Sequence, residues 1–129
     1  MSTVNNWEVL LIDDDPDSLN LIHDMLVLNG IKVRSADNGA NGLLMLKQFT
    51  PTLVIVDLSM PKPDGWDILY YIRAMPEFAT LPVVAITAYA SEKVIAQAHQ
   101  AGFSALFPKP IKVNSLLEKL QGVVRTFVS

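Results

Sequence analysis

The sequence predicts an α/β domain in which a doubly wound, five-stranded parallel sheet carries helices on both faces. Five short apolar runs alternate with five helical patterns along the chain. Such alternation argues for parallel strands joined by helical crossovers. Three of the runs are continuously apolar and rich in branched side chains, as strands buried on both faces are. Polar residues able to do chemistry stand at the carboxyl ends of the runs, where open α/β sheets bind ligands.

Residues 1–6 read as a flexible N-terminal tail and 7–129 as one domain. Val9-Leu10-Leu11-Ile12 is the first strand. Asp15 suits the N-cap, and Pro16 the first position, of a helix whose apolar face is Leu19, Ile22, Met25 and Leu26; Asn29-Gly30 stops it. Ile31-Lys32-Val33-Arg34 alternates, as an edge strand does. Asn38 caps a second helix with Leu43, Leu44 and Lys47 on one side. Leu53-Val54-Ile55-Val56 is the third strand. Asp64-Gly65 makes a turn into a third helix carrying Trp66, Leu69, Tyr70 and Arg73; Trp7, Trp66 and Tyr70 read as packing residues. Val83-Val84-Ala85-Ile86 is the fourth strand, and Ser91 caps a helix that ends at Ala101-Gly102. Ala105-Leu106-Phe107 is the fifth strand. Val113, Leu116, Leu117, Leu120 and Val124 form the stripe of the last helix. Right-handed crossovers then favour strand order 2-1-3-4-5, a flavodoxin-like (βα)5 sandwich.

The 129 residues suffice to bury a core without a metal or disulfide staple. A hydrophobic fraction of 50% with 18% charged residues excludes intrinsic disorder. The absence of cysteine excludes a disulfide scaffold, a thiolate metal site and a cysteine nucleophile. A net charge of −3 leaves no basic footprint for direct nucleic-acid binding. The apolar runs are too short for a membrane span, and MSTVNNWE is no secretory signal, so the reading is a cytoplasmic protein. Charge is asymmetric. Glu8, Asp13, Asp14, Asp15, Asp17 and Asp24 face no Lys or Arg before Ile31, while Lys93, Lys109, Lys112, Lys119 and Arg125 dominate the last third. That pattern suits a site built from both halves.

The first strand ends in Asp13-Asp14-Asp15, the third in Asp57, the fourth in Thr87 and the fifth near Lys109. The strand order brings Asp13, Asp14 and Asp57 together. Carboxylates so placed repel and raise one another's pKa. A hard divalent ion with oxygen ligands relieves this, and Mg²⁺ suits one or two carboxylates plus waters. No His or Cys stands at these strand ends, which argues against zinc. An Asp, a divalent ion, the Lys109 ammonium and the Thr87 hydroxyl around one point make a phosphoryl-transfer site in which a carboxylate oxygen attacks in line.

Four motifs in order carry a resemblance: LLIDDDP at 10–16, VIVDLSMPKPDGW at 54–66, VVAITAYA at 83–90 and FPKP at 107–110. From about Trp7 to Val124 the chain resembles a response-regulator receiver domain of two-component signalling, in the single-domain form of chemotaxis regulators. The resemblance implies a switch that catalyses only its own phosphorylation and dephosphorylation. Asp57 is then the phosphoacceptor, charged by a sensor histidine kinase or a phosphotransfer protein. Asp14 binds Mg²⁺ (or Mn²⁺ in its place) directly and Asp13 mostly through water, with Asp57 and the Ser59 backbone carbonyl completing the protein ligands. Thr87 and Lys109 hold the phosphoryl group, with Ser59 and the small Ala88 beside it. Lys109-Pro110 resembles the family's cis peptide. A downstream protein, or an output domain outside the chain, binds the face of helix 4, strand 5 and helix 5, and phosphorylation-dependent dimers are a further implied partner. The chain departs from the pattern at Leu106, where many receivers place Tyr or Phe three residues before the lysine. Strand alternation turns Leu106 and Phe107 to opposite sides. The switch set is then Thr87, Leu106 and Phe107, with Tyr89 as the nearest aromatic substitute for the swing.

Other readings carry less. As a helix cap Asp15 beside Pro16 suffices, which leaves Asp13 and Asp14 for a metal. An Asp-nucleophile phosphatase-like hydrolase wants a second acid two residues on, where this chain has Ser59. A flavin or nucleotide module wants a phosphate loop that three aspartates would repel. A scaffold of the same fold working without phosphorylation has no need of all five site residues. His23 and His99 receive no role.

Overall fold

The computed structural model describes residues 4–128. In chain order it contains β1 (Glu8–Ile12), α1 (Pro16–Leu28), β2 (Lys32–Ala36), α2 (Gly39–Met45), β3 (Leu53–Asp57) and α3 (Gly65–Ala74). A short 3₁₀ turn (Pro76–Phe78), β4 (Val83–Thr87), α4 (Glu92–Ala101), β5 (Ala105–Pro108) and α5 (Val113–Val128) complete it. All strands are parallel, in the order β2-β1-β3-β4-β5. The predicted sheet is therefore the observed one.

Strand alternation divides the core into two layers. Val9, Leu11, Leu53, Ile55, Val84 and Ile86 point to one face and pack with Ile22 and Leu26 of α1 and Leu116 and Leu120 of α5. Leu10, Ile12, Val54, Val56, Val83 and Ala85 point to the other and pack with Ile68, Leu69 and Ile72 of α3 and Ala98 of α4. Every residue of β3 and β4 is buried, which explains why those runs are apolar without a break. The edge strand β2 is only partly buried.

Predicted caps hold. Asp15, Asn38 and Ser91 accept hydrogen bonds from the backbone of Asp17, Asn41 and Val94 respectively. Asn29 caps the end of α1, followed by Gly30 at φ 80°, and Gly102 ends α4 at φ 111°, a left-handed conformation that glycine adopts without strain.

Four local expectations are corrected. The loose tail does not reach Val4, which is buried with Trp7, Val9 and Ile31; residues 1–3 lie outside the described chain. The second strand starts one residue later than expected and ends two later, at Ala36, in register with Ile12. Helix α2 ends at Met45, before Lys47, and its buried residues are Gly39 and Gly42 while Leu44 is exposed. A Cβ on Gly42 would run into the Ile12 side chain, so the helix backbone lies close against β1, and of the two expected leucines only Leu43 packs, partly buried, against that core. The stripe of α3 is Ile68, Leu69 and Ile72; Tyr70 is 73% exposed, its ring edge-on to Tyr71.

Candidate functional site

The strand ladders bring the chemistry together. Ile12 is in register with Val56, and Asp57 with Ile86, so the residues that follow β1, β3 and β4 emerge side by side. Backbone bonds carry the ladders one step further and fix each site residue. Asp13 N donates to Ala36 O (3.1 Å), Leu58 N to Ile86 O (3.0 Å) and Lys109 N to Thr87 O (2.8 Å).

Asp13, Asp57 and Thr87 are the buried polar residues of the described chain. One carboxylate oxygen from each of Asp13, Asp14 and Asp57 lies within 4.8 Å of the others. Asp14 is exposed and closes the cluster on the solvent side. Lys109 Nζ sits 3.0 Å from Asp57 Oδ2 and 3.0 Å from Asp13 Oδ2, with its side chain only 12% exposed. Its peptide to Pro110 is cis, as the resemblance implies. Asp57 Oδ1 accepts from Ser59 N at 2.9 Å. Thr87 Oγ1 accepts from Tyr89 N at 3.0 Å and lies 3.4 Å from Ser59 Oγ. Ala88 follows Thr87 as an exposed residue.

One ammonium faces three carboxylates, and the balance is negative. Burial is the main force on Asp13, and the neighbouring Asp57 charge adds to it; together they push its carboxyl from 3.8 up to about 6. Burial alone would depress Lys109, but its hydrogen bonds and charge contacts with Asp57 and Asp13 outweigh burial and raise it. The residues fit a hard divalent cation on two grounds. The three donors are all carboxylate oxygens, the set such ions prefer. Asp13 Oδ2 is also left without a hydrogen bond: the 3.0 Å approach of Lys109 Nζ is an ion pair off the bonding direction, and the hydrogen bond proper goes to Oδ1 at 3.4 Å. A buried acceptor so placed is costly unless a cation completes it.

Sequence reasoning underrated the turn after the site. Asp64 and Asp67 each accept from the other's backbone N–H, at 2.9 and 3.0 Å, a capping box that fixes the start of α3. Gly65 lies so close to the end of β3 that a Cβ there would stand 2.5 Å from Asp57 O and 2.8 Å from Leu58 Cα. Both are backbone atoms of the site strand. Gly65→Ala is expected to lower stability by about 2 kcal/mol in urea denaturation. An unchanged midpoint would show that α3 can slide away from β3. The sequence signal for this residue was present in Asp64-Gly65, but a turn glycine and a contact glycine look alike there. Arg73 was equally invisible. Its guanidinium donates to the carbonyls of Phe78, Leu81 and Gly102, tying α3 to the start of β4 and the end of α4.

Leu106 and Phe107 do face opposite layers, Leu106 toward the α3–α4 core and Phe107 toward the α1–α5 core. No helix among the described residues is long and apolar enough to cross a membrane.

The comparisons agree with this geometry. A family model described as the response regulator receiver domain matches residues 9–121. An uncharacterised 14.6 kDa protein of Leptolyngbya boryana is 35% identical over 94% of this chain and 92% of its own length. Chemotaxis protein CheY-3 of Vibrio cholerae is 35% identical, over 92% of each chain. In fold, a sensor protein from Polaromonas sp. JS666 superposes with a TM-score of 0.87 at 24% identity, covering 95% of this chain and 99% of its own. With strand order, acidic cluster and family model in agreement, the chain belongs to the response regulator receiver domain family of two-component signalling.

Proposed function

We propose that the protein is a phosphorylation switch in which Asp57 accepts a phosphoryl group from a histidine kinase or a phosphotransfer protein. The observation that carries this reading is the carboxylate of Asp57, which ends a fully buried strand and is held between Ser59 N (2.9 Å) and Lys109 Nζ (3.0 Å) beside the Asp13-Asp14 pair. A carboxylate in that position is oriented before any substrate arrives.

In the proposed transfer an oxygen of Asp57 attacks phosphorus in line. The bond from phosphorus to the donor breaks, its electron pair leaves with the donor, and an acyl phosphate remains on Asp57. Lys109 turns its ammonium from the carboxylates to a phosphoryl oxygen. The Thr87 hydroxyl already accepts from Tyr89 N, so its own proton is free to be donated to another phosphoryl oxygen. Asp13, Asp14, Asp57 and the Ser59 carbonyl would hold the cation, Mg²⁺ by preference and Mn²⁺ in its place. When bound, the ion neutralises charge that builds on the transferring oxygens. Readout passes through Thr87 to the surface of α4, β5 and α5. There Ile95 and Tyr89 are exposed, and Lys119 Nζ lies 5.8 Å from the Phe107 ring centre. That surface is the proposed seat of a downstream partner or a second copy. With Leu106 in place of an aromatic, the loop carrying Tyr89 is the proposed moving part.

The test is intact mass after incubation with acetyl phosphate and Mg²⁺. One added phosphate is expected on the wild type, none on Asp57→Asn, and none with EDTA. An adduct that persists in Asp57→Asn moves the acceptor elsewhere. No adduct on any protein, with beryllofluoride also failing to bind, favours a receiver that works without phosphorylation.

A further inference from the structure

We propose that Asp15 is a positioning residue for Lys109: its carboxylate keeps the ammonium at the site once a cation has engaged Asp13 and Asp57. This deepens the phosphoacceptor reading and rests on it. Lys109 Nζ has three carboxylates around it, Asp13 and Asp57 at 3.0 Å and Asp15 Oδ2 at 3.8 Å. The two nearer ones belong to the cluster that can hold a metal, together with Asp14; Asp15 does not. A cation there competes with the ammonium for Asp13 and Asp57, and Asp15 is the ion-pair partner left over.

The two oxygens of Asp15 have separate duties. Oδ1 accepts from Asp17 N at 3.2 Å and caps α1. Oδ2 accepts from Ser18 Oγ at 2.9 Å and is the oxygen turned to Lys109. The Ser18 bond therefore aims a half-exposed carboxylate at the ammonium. Capping needs an acceptor and no charge, and asparagine caps as well as aspartate. The charge is thus a feature the cap does not explain. Asp17, two residues on and exposed, makes no ion pair with Lys109 in this structure and serves as the control.

The test compares wild type, Asp15→Asn and Asp17→Asn in two measurements. First, Mg²⁺ affinity is titrated without any phosphodonor. Asp15→Asn is expected to weaken it about threefold, because the displaced ammonium has lost its resting place, and Asp17→Asn much less. Second, phosphorylation rates are measured at saturating Mg²⁺ with acetyl phosphate and with phosphoramidate, which carries one negative charge fewer. Asp15→Asn frees Lys109 for the donor, so the rate is expected to rise about threefold with acetyl phosphate and less with phosphoramidate, the gain shrinking at high salt. Equal Mg²⁺ affinities in Asp15→Asn and Asp17→Asn overturn the proposal, as does a rate change blind to donor charge. If the wild type takes phosphate from neither donor, the phosphoacceptor reading fails, and the Mg²⁺ titration alone decides the role of Asp15.

Discussion

Lys109→Met is expected to lower the unfolding free energy by about 3 kcal/mol at pH 7 in EDTA, because it leaves buried carboxylates without their counter-charge. Methionine keeps the apolar stem, so the loss reports the ammonium. Asp13 is fully buried and Asp57 nearly so, with Nζ at 3.0 Å from each, so neither can turn to water for compensation. The loss should shrink toward pH 4, where Asp13 takes up a proton and the repulsion falls. Mg²⁺ should restore most of it, since binding to the folded state alone adds about 2.7 kcal/mol at a hundredfold excess over Kd. Metal affinity should rise in the variant, because ammonium and cation compete for the same oxygens. Urea denaturation with and without Mg²⁺ checks all three points. Full wild-type stability of Lys109→Met in EDTA would mean that the carboxylates are relieved by some other route.

Asp13→Asn is expected to act in the opposite direction. The folded-state pKa of Asp13, about 6, lies above its ordinary value of 3.8. For a raised carboxyl, the stabilising contribution is fully present below the ordinary value and is lost as pH rises through the folded one. At pH 7 the wild type therefore carries a penalty of roughly 2–3 kcal/mol for an ionised Asp13. Asparagine resembles the protonated carboxyl and escapes that penalty. The variant should gain about 2 kcal/mol at pH 7, a rise in Tm of roughly 5–10 °C, and almost nothing at pH 4. Lys109 stays paired with Asp57 in the variant, so the buried ammonium is not orphaned. Mg²⁺ should narrow the gap, because the wild type binds it and the variant has lost a ligand. Thermal unfolding at the two pH values decides the matter: a destabilised variant at pH 7 would show that the Asp13–Lys109 pair outweighs the burial of the charge.

Both expectations depend on distances that no pattern in the chain contains, yet much of the frame was legible. The unbroken apolar runs 9–12, 53–56 and 83–86 read correctly as strands because a strand covered on both faces has no polar side to show. Caps were legible at Asp15, Asn38 and Ser91, since capping is a contact between near neighbours. Strand order followed from alternation and handedness. Helix α2 is only half legible: Leu43 packs as its pattern predicts, but Gly39 and Gly42 carry the close contacts, and glycine has no hydropathy signal. The pattern puts Tyr70 on the α3 stripe, but a one-residue rotation of that stripe decides which aromatic is covered. Val4 reads as tail in the sequence because one apolar residue makes no periodicity.

Fold class, strand order and the residue types at the carboxyl edge of the sheet are legible in the sequence alone. These follow from local propensity, hydrophobic period and the geometry of crossovers, all of which act over short spans of chain. How those residues meet is set by the folded chain. It set the bridge from Lys109 to Asp13 across 96 positions of chain, the raised pKa of Asp13, the lack of a hydrogen bond at Asp13 Oδ2 and the place of Asp15 as a third carboxylate. Charge energies vary with ångström-scale separation and with access to water, and only the folded chain fixes either.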